Sequence, residues 1–279
     1  MVRRQFNAIS VDVEDWYHVC GISQDIRIAR SDWRVLENTE KILSLFSGYG
    51  IKATFFMLGS IAEALPELAP MIAEQGHEIA SHGYSHKLVT TLTAEEFRDE
   101  IRKTDQILRS QTGKKPAGFR APQWSLSLRQ TPWAFEILMQ EGYLYDSSLS
   151  PIPLVGGNDN RPGPYRLPSK SGGLLELPPL TASTLAGRLP VGGGWGLRFF
   201  PQWLVGHAVK TYNAANWPAV LYIHPRELDP QGPRLELPAL KRFASYGSRR
   251  DVSRRLIYLF ERYSFSTMRD IYAACQTAY

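Results

Sequence analysis

Three of the chain's six histidines lie within twelve residues, in the segment HEIASHGYSHKL (77–88). His82 and His86 are four residues apart, and on a helical turn this spacing puts both rings on one face, within reach of a single metal ion. The same side chains are compatible with an ordinary polar loop, because the spacing alone is a weak signal. His77 opens a predicted strand, which favours a structural role for it.

Acidic residues follow the first predicted strand in the segment SVDVED (10–15). On a strand, Asp12 and Glu14 face the same side. Two carboxylates directed at one point can divide the chemistry, because one can bind a metal while the other accepts a proton from water. Zinc hydrolases often combine two histidines with one carboxylate and leave a ligand position open. The alternative is a solvated acidic loop, and the buried strand directly before the acids weakens it.

Strand-like and helix-like segments alternate along the chain. Apolar, β-branched segments predict strands at residues 6–13, 51–58, 77–80, 117–121, 143–148, 174–180 and 219–225. Amphipathic segments predict helices at residues 36–49, 60–76, 93–112, 128–141, 202–214 and 249–263, the third with a capping box formed by Thr93 and Glu96. Residues 151–173 are typical of a long loop, and residues 190–201 of a glycine-rich turn. This alternation predicts a parallel sheet covered by helices, closed or open.

Four predicted strand ends carry ionisable residues: Asp12 with Glu14 and Asp15, His82 with His86, Arg120, and His224. In a barrel the carboxyl ends of the strands meet at one rim, so we expect these side chains to converge. We find no internal repeat and no linker, and the chain is predicted to form a single domain, residues 1–279.

Composition restricts the class of protein. Hydrophobic residues make up 43% and charged residues 21%, as in ordinary globular domains. The two cysteines, Cys20 and Cys275, indicate no disulfide framework. No signal peptide and no apolar run of about 18 residues is recognisable, so a cytoplasmic location is expected.

The net charge of +5 is concentrated late in the chain. The excess comes from Lys241, Arg242, Arg249, Arg250, Arg254, Arg255 and Arg262, against Asp251 and Glu261. A solvated helix face explains these charges most simply, and peripheral contact with an anionic membrane or a lipid-linked glycan is the alternative. No nucleic-acid-binding motif accompanies them, so no nucleic-acid partner is expected.

These residues resemble the motifs of the polysaccharide deacetylases with a NodB-homology domain, carbohydrate esterase family 4. The matching segments are SVDVED, SHGYSH, FRAP, YDSS and LYIHP, in the family's order and spacing. The close resemblance covers residues 6–150 and 219–225. The segments LELPPL and PVGGGWGLRFFP and the C-terminal region resemble the subgroup associated with exopolysaccharide and exosortase systems.

The resemblance implies an α/β fold, a distorted (β/α)₇ barrel with residues 226–279 as a C-terminal extension packed on it. It implies that Asp12 is the general base and that Arg120 orients it. It also implies that His82 and His86 bind the metal and that His224 is the general acid, held by Asp146. A backbone N–H near Gln123 would help to bind the oxyanion. Trp124 would either stack on a sugar face or act as a core aromatic.

The third metal ligand is open between two residues. This chain has one residue inserted after Asp12 relative to the family's commonest acidic pair, so the ligand is Glu14 or Asp15. Strand alternation favours Glu14. The resemblance implies one divalent metal, most simply Zn²⁺, although Co²⁺, Ni²⁺ or Mn²⁺ suit the same ligands.

The expected function is metal-dependent removal of N-acetyl groups from an N-acetylhexosamine polysaccharide or a lipid-linked oligosaccharide, in exopolysaccharide biosynthesis. Two alternatives stay open. The chain could hydrolyse another non-peptide C–N bond, as in ureides, or it could be a catalytically silent sugar-binding module.

Overall fold

The computed structural model describes residues 7–19, 28–152, 161–167, 173–185, 187–247 and 252–276. The strands are β1 (Asn7–Val13), β2 (Thr54–Met57), β3 (Glu78–Ser81), β4 (Gly118–Phe119), β5 (Tyr145–Asp146), β6 (Tyr165–Leu167), β7 (Leu174–Glu176), β8 (Ala182–Thr184), β9 (Gly187–Leu189), β10 (Val220–Ile223) and β11 (Phe265–Ser266). The helices are α1 (Val35–Gly48), α2 (Gly59–Ala64), α3 (Leu68–Glu74), α4 (Ala94–Thr112), α5 (Pro132–Gln140), α6 (Gly194–Phe199), α7 (Gln202–Ala214), α8 (Ala239–Tyr246), α9 (Ser253–Phe260) and α10 (Met268–Cys275).

Within the described residues, one curled sheet carries the fold. Its parallel strands follow the order β10, β1, β2, β3, β4, β5 and β7, and β6 pairs antiparallel with β7. No strand pairing joins β7 to β10, but irregular segments bridge part of the gap. The N–H of Leu180 donates to the carbonyl of Val220 (2.8 Å), and that of Tyr222 donates to Gly192 (2.9 Å). The predicted distorted (β/α) barrel is therefore confirmed, as a curled half-barrel.

The first strand shows why the barrel forms. Every residue of β1 is buried, as expected when helices cover one face of a parallel sheet and side chains fill the other. Ile9, Val11 and Val13 belong to the large core cluster beneath the helices. Ser10 and Asp12 alternate with them, so they face the barrel interior. The strand thus directs Ile9, Val11 and Val13 toward the helices, and Ser10 and Asp12 toward the interior of the barrel.

Helix boundaries follow local signals closely. In α4 the capping box is present, since the N–H of Glu96 donates to the Thr93 hydroxyl (3.2 Å) and the Glu96 carboxylate accepts from the Thr93 N–H (2.8 Å). Gly113 ends this helix in the left-handed region, with φ 72°. The helix predicted at 60–76 is two helices, α2 and α3, because the chain breaks at Leu65–Glu67, around Pro66.

The later part of the chain holds more structure than predicted. The glycine-rich segment contains α6, the loop 151–173 contains β6, and α8, β11 and α10 belong to the C-terminal region. The extension packs on the barrel, because β11 runs parallel to the start of β1, pairing Asn7 with Phe265. No helix among the described residues is long and apolar enough to cross a bilayer.

The basic residues of the C-terminal region divide between packing and surface. The Arg255 guanidinium donates to the carbonyls of Leu197 and Phe200, and that of Arg262 lies 3.8 Å from the ring centre of Tyr258. Arg242 and Arg254 are exposed. Arg249, Arg250, Asp251 and the side chain of Lys241 lie outside the described part of the chain, as does Cys20, whereas Cys275 is a buried free thiol.

Candidate metal centre and active site

A cavity of about 390 Å³ opens at the carboxyl edge of the sheet. Its lining includes predicted site residues from three separate segments, namely Asp12, Glu14, Gln123, Trp124 and His224, together with Tyr222, Trp195, Arg198, Arg226 and Glu227. The expected convergence of strand ends therefore occurs, and it creates a partly open cavity of a size suited to a small part of a substrate.

Three side chains meet at one point beside this cavity. Glu14 Oε1 lies 3.1 Å from His82 Nε2 and 2.9 Å from His86 Nε2. All three side chains are buried, and their ligand atoms lie within 4.8 Å of one another. Glu14 leaves the strand through a tight turn in which its N–H donates to the Asp12 carbonyl (2.9 Å). That turn brings its longer side chain back to the two imidazoles.

Asp15 has a different place in the structure. Its carboxylate accepts the backbone N–H groups of Trp16 (2.7 Å), Arg34 (3.0 Å) and Val35 (3.3 Å), at the start of α1. Burial raises the pKa of this carboxyl. Of the two acids left open by the sequence, the structure therefore brings Glu14 to the histidines and uses Asp15 to fix the start of α1.

The two histidines come together without the helical turn that their spacing would suit. His82 directly follows β3, and His86 ends a loop in which it adopts a left-handed backbone (φ 60°). Two N–H groups at the start of α2 hold this loop, since Gly59 donates to the carbonyl of Gly83 (2.9 Å) and Ser60 to that of Tyr84 (3.1 Å). The reversal of the chain between the histidines replaces the helical turn.

A carboxylate on α4 also anchors this loop. Glu100 Oε2 accepts the N–H groups of Tyr84 and Ser85, each at 2.9 Å. Its other oxygen accepts the Ser85 hydroxyl. Sequence reasoning missed Glu100, because nothing on the surface of a helix distinguishes one glutamate from another without the fold.

The residues present fit a divalent metal. Two ligands of one tetrahedral zinc ion at the usual bond lengths lie about 3.3 Å apart, close to the 2.9–3.1 Å between Glu14 Oε1 and the two imidazole nitrogens. His82 Nδ1 lies 2.7 Å from the carbonyl of Arg120, which fixes the ring with Nε2 toward Glu14. Two imidazoles and one carboxylate form the donor set of many catalytic zinc sites.

Positive groups surround the Glu14 carboxylate. Its Oε2 lies 4.0 Å from His224 Nε2 and 3.7 Å from Arg226 Nη1. Burial alone would raise the pKa of Glu14, but the charges of His86 and His224 outweigh it, and the pKa lies well below its usual range. Burial would lower the pKa of His82, but its hydrogen bond with Glu14 raises that pKa overall. The carboxylate is thus ionised and ready to act as a ligand.

Asp12 is paired with a buried arginine. Arg120 Nη1 lies 2.6 Å from Asp12 Oδ1 and 2.7 Å from the Ser10 hydroxyl. Its other nitrogens donate to the carbonyl and the hydroxyl of Ser147, at 3.1 and 2.8 Å. The guanidinium is only 1% exposed and makes cation–π contact with the ring of Phe56. Arg120 is therefore held rigidly enough to orient the Asp12 carboxylate.

His224 is not held by Asp146, so this predicted pairing is wrong. His224 Nδ1 lies 3.3 Å from Oε1 of Glu227, three residues later, in a 3₁₀ turn that spans Pro225–Leu228. The turn brings the glutamate back beneath the imidazole, and its side chain is 1% exposed. Sequence reasoning missed Glu227, although a histidine followed by a carboxylate at the third position is a signal that a helical turn can bring them together.

Asp146 supports a different part of the site. Its carboxylate accepts the hydroxyl of Ser148 (2.6 Å), and that hydroxyl accepts the N–H of Ala121 (2.8 Å). Its other neighbour is Glu176. Both acids are fully buried, and burial raises the pKa of each, that of Glu176 well above its usual value. The pair thus retains a proton and braces the backbone before residues 122–124.

Residues 122–124 form a short strained turn at the cavity. Gln123 and Trp124 both adopt left-handed backbones, with φ 56° and 57°. The half-buried Trp124 ring lies 5.0 Å from that of Tyr222 and 5.1 Å from the Arg120 guanidinium. Strain of this kind persists where the surroundings impose it, often at functional sites. Trp124 therefore forms part of the cavity wall.

Another histidine that sequence reasoning missed packs against the ligands. His18 Nδ1 accepts the N–H of Asp15 (3.0 Å), and its ring centre lies 5.2 Å from that of His86. Burial, together with the charge of His86, lowers the pKa of His18 to about 3, so it stays neutral at any ordinary pH. His77 lies at the opposite end of β3, where Nδ1 accepts the N–H of Ala53 (3.1 Å), as expected of a structural residue.

Comparison with known proteins divides the chain into two parts. Residues 31–131 match the family "Polysaccharide deacetylase", and residues 147–273 match a domain of unknown function, DUF3473. The chain is 37% identical over 109 residues to a peptidoglycan deacetylase of Helicobacter pylori, covering 39% of this chain and 36% of that protein. It is 37% identical over 112 residues to a peptidoglycan-N-acetylglucosamine deacetylase of Bacillus cereus, covering 40% of this chain and 41% of that protein.

Solved structures show the same fold. The chain superimposes on Puue allantoinase with a TM-score of 0.63 at 18% identity, covering 98% of this chain and 90% of the other. At that identity the likeness concerns the fold alone. The matched segments span well under half the length of the two curated relatives.

Proposed function

We propose that the chain is a metal-dependent hydrolase that removes N-acetyl groups from an N-acetylhexosamine-containing glycan, because residues 31–131 match the polysaccharide deacetylase family. One observation carries the proposal. The three candidate ligands Glu14, His82 and His86 meet within 4.8 Å, and Asp12 and His224 line the cavity that begins beside them.

A divalent metal held by Glu14, His82 and His86 would polarise the acetamide carbonyl and make a water molecule more acidic. The chain's own residues do the rest. Asp12 accepts the proton of the attacking water, and Arg120 holds its carboxylate in one orientation through the 2.6 Å contact.

His224 acts on the other side of the scissile bond. Its Nε2 faces the metal ligands, 4.0 Å from Glu14 Oε2, so a proton on Nε2 can reach the departing nitrogen. The amide C–N bond breaks with that proton transfer, and acetate and a free amine leave. The wall formed by Trp124 and Tyr222 shields the reacting group from water on one side.

The finer substrate class is also part of the proposal. We expect a polysaccharide or lipid-linked oligosaccharide of exopolysaccharide biosynthesis, processed in the cytoplasm, with zinc as the metal. The exposed basic residues Arg242 and Arg254 support contact with an anionic surface or a lipid-linked glycan. The resemblance of the C-terminal segments to an exopolysaccharide-associated subgroup supports the pathway.

The test is acetate release from a panel of N-acetylhexosamine oligomers, lipid-linked glycans and peptidoglycan fragments, with metal content measured in parallel. We expect release that disappears when a chelator removes the metal and returns when the metal is restored. A ureide such as allantoin is included in the panel. Ureide hydrolysis without acetate release would favour the first alternative. Binding of the glycans without any hydrolysis by the metal-loaded protein would favour a silent sugar-binding module.

A further inference from the structure

Glu227 is a buried carboxylate that no recognised motif assigned to the site. Its Oε1 lies 3.3 Å from His224 Nδ1, and its Oε2 lies 3.0 Å from Arg198 Nε. We propose that Glu227 is the positioning residue of the general acid His224, that Arg198 holds its carboxylate in place, and that Gly194 leaves the space which the carboxylate occupies. This inference rests on the proposed deacetylase function.

The orientation of the imidazole is the first support. Nδ1 faces Glu227, while Nε2 faces Glu14 and the metal ligands. A hydrogen bond at one ring nitrogen determines what the other nitrogen can do. With the Nδ1–H donated to Glu227, Nε2 is the nitrogen that points to the reacting centre, and a flip of the ring would break that bond.

The second support is the way in which the carboxylate is held. Arg198 is a buried arginine that forms an ion pair with Glu227, while its Nε donates to the carbonyl of Gly194 (3.2 Å) and its Nη2 to that of Ser245 (3.3 Å). Burial would raise the pKa of Glu227, but the hydrogen bond with His224 and the charge of Arg198 outweigh burial and lower that pKa. The carboxylate is therefore ionised and fixed from two sides, since one oxygen faces the imidazole and the other the guanidinium.

The third support is the glycine-rich segment. A Cβ added at Gly194 would lie 2.2 Å from Glu227 Oε1, and one added at Gly193 would lie 2.1 Å from the ring of Tyr222. Both distances are far below van der Waals contact, so any larger residue would displace the side chains on either side of His224. The segment PVGGGWG is thus shaped around the end of β10.

These residues give the second family match a role. Gly194, Arg198, His224 and Glu227 all lie within residues 147–273, the domain of unknown function, and outside residues 31–131. The region that matches the domain of unknown function therefore supplies both the proposed general acid and the residues proposed to position it.

The chemistry separates positioning from mere stability. The amine of an N-acetylated sugar leaves only when its nitrogen receives a proton. In contrast, 4-nitrophenyl acetate releases 4-nitrophenolate with the electron pair of the broken C–O bond and needs no acid. Loss of His224 positioning should lower kcat for the amide and spare the ester. Since the proton is needed only as the bond breaks, KM for the glycan should change little.

The experiment uses the metal-loaded full chain with Glu227→Ala, Glu227→Gln and Gly194→Ala. The matched control is Glu78→Gln, which removes the charge of a carboxylate at the opposite end of the barrel, bonded to Thr54 (2.7 Å) and Tyr145 (2.8 Å). We expect Glu227→Ala and Gly194→Ala to lose about 10- to 100-fold in kcat on the glycan. Glu227→Gln, which keeps an acceptor for Nδ1–H, should lose less. In all three variants, the rate of ester hydrolysis and the metal content should equal those of the Glu78→Gln control.

Nitrogen-15 spectra of the His224 ring supply a readout that does not depend on turnover. We expect its Nδ1 resonance to shift in Glu227→Ala and Gly194→Ala and to stay unchanged in the control. Full kcat on the glycan in Glu227→Ala, equal loss on amide and ester, or an unshifted Nδ1 resonance would overturn the positioning role. If the wild type hydrolyses the ester but no N-acetyl glycan, the proposed function fails, while the ring resonances still decide the position of Glu227.

Discussion

The division of labour between Asp12 and Glu14 can be tested with one substitution, Asp12→Asn. Asparagine keeps the shape of the side chain and an oxygen for the Arg120 contact, but it cannot accept a proton. Removal of a general base costs about 10²–10⁴ in rate, or about 2.7–5.4 kcal/mol of transition-state stabilisation. We therefore expect acetate release to fall by that factor while the metal stays bound, because Asp12 does not belong to the ligand cluster.

The stability of Asp12→Asn should fall as well. Arg120 would lose its counter-ion while only 1% exposed, and breaking a buried ion pair costs about 3–5 kcal/mol. Arg120 would still donate to the hydroxyls of Ser10 and Ser147 and to the amide oxygen of the new asparagine, so the loss of stability should be smaller than that. We expect about 1–3 kcal/mol, or a Tm lower by roughly 2–12 °C. Calorimetry at a fixed metal concentration measures it.

Glu14→Gln is the matched control, since it changes the neighbouring carboxylate in the same way. It should lose metal and activity together, while the Arg120 pair stays intact. If Asp12→Asn releases the metal, or if it retains the wild-type rate, the assignment of base and ligand to these two acids is refuted.

Three further results are expected. His82→Ala should lose both metal and activity, and a purified variant that still holds one equivalent of metal would disprove the ligand cluster. Glu176→Gln should gain stability relative to the wild type as the pH rises above about 4.5. Burial raises the pKa of Glu176 in the folded state, so the unfolded wild-type chain releases this proton at a lower pH and is favoured as the pH rises. If the Tm difference between variant and wild type stays constant from pH 4 to pH 8, this expectation is contradicted. Thr93→Ala should lower the free energy of unfolding by about 1 kcal/mol through loss of the capping box, which corresponds to a Tm lower by about 2–4 °C. We expect kcat to stay unchanged. A large fall in kcat would show that α4 acts on the site.

The positions of the candidate residues along the sheet could be predicted because strand ends obey a simple rule. Asp12, His82, Arg120 and His224 each end or follow a strand that the sequence marks by its apolar run, and parallel strands bring those ends together. The choice between Glu14 and Asp15 could not be made from the pattern alone, since it depends on the tight turn after β1 and on the start of α1.

The side chains that hold the predicted site residues in place were the hardest to predict. Glu227 depends on a 3₁₀ turn after β10, and Glu100 on how α4 lies against the loop before His86. Asp146 was assigned by resemblance, but in the structure it bonds to Ser148 and braces the neighbouring backbone. The glycine-rich segment, residues 190–201, was predicted to form a turn, but it contains α6. Its glycines are required by close packing against neighbouring side chains and not by flexibility.

The pairing of β11 with β1 has a consequence for how the protein is made. The Asn7 side chain donates to the carbonyl of Ser264, across 257 positions of sequence. At about 5–20 residues per second, a ribosome needs roughly 13–50 s between synthesising these two residues. The first strand, which pairs with β2, β10 and β11, therefore has one edge unpaired until nearly the whole chain has emerged. Contacts of such long range also slow folding. During synthesis the unpaired edge of β1 is therefore exposed to pairing with strands of other chains unless something else covers it.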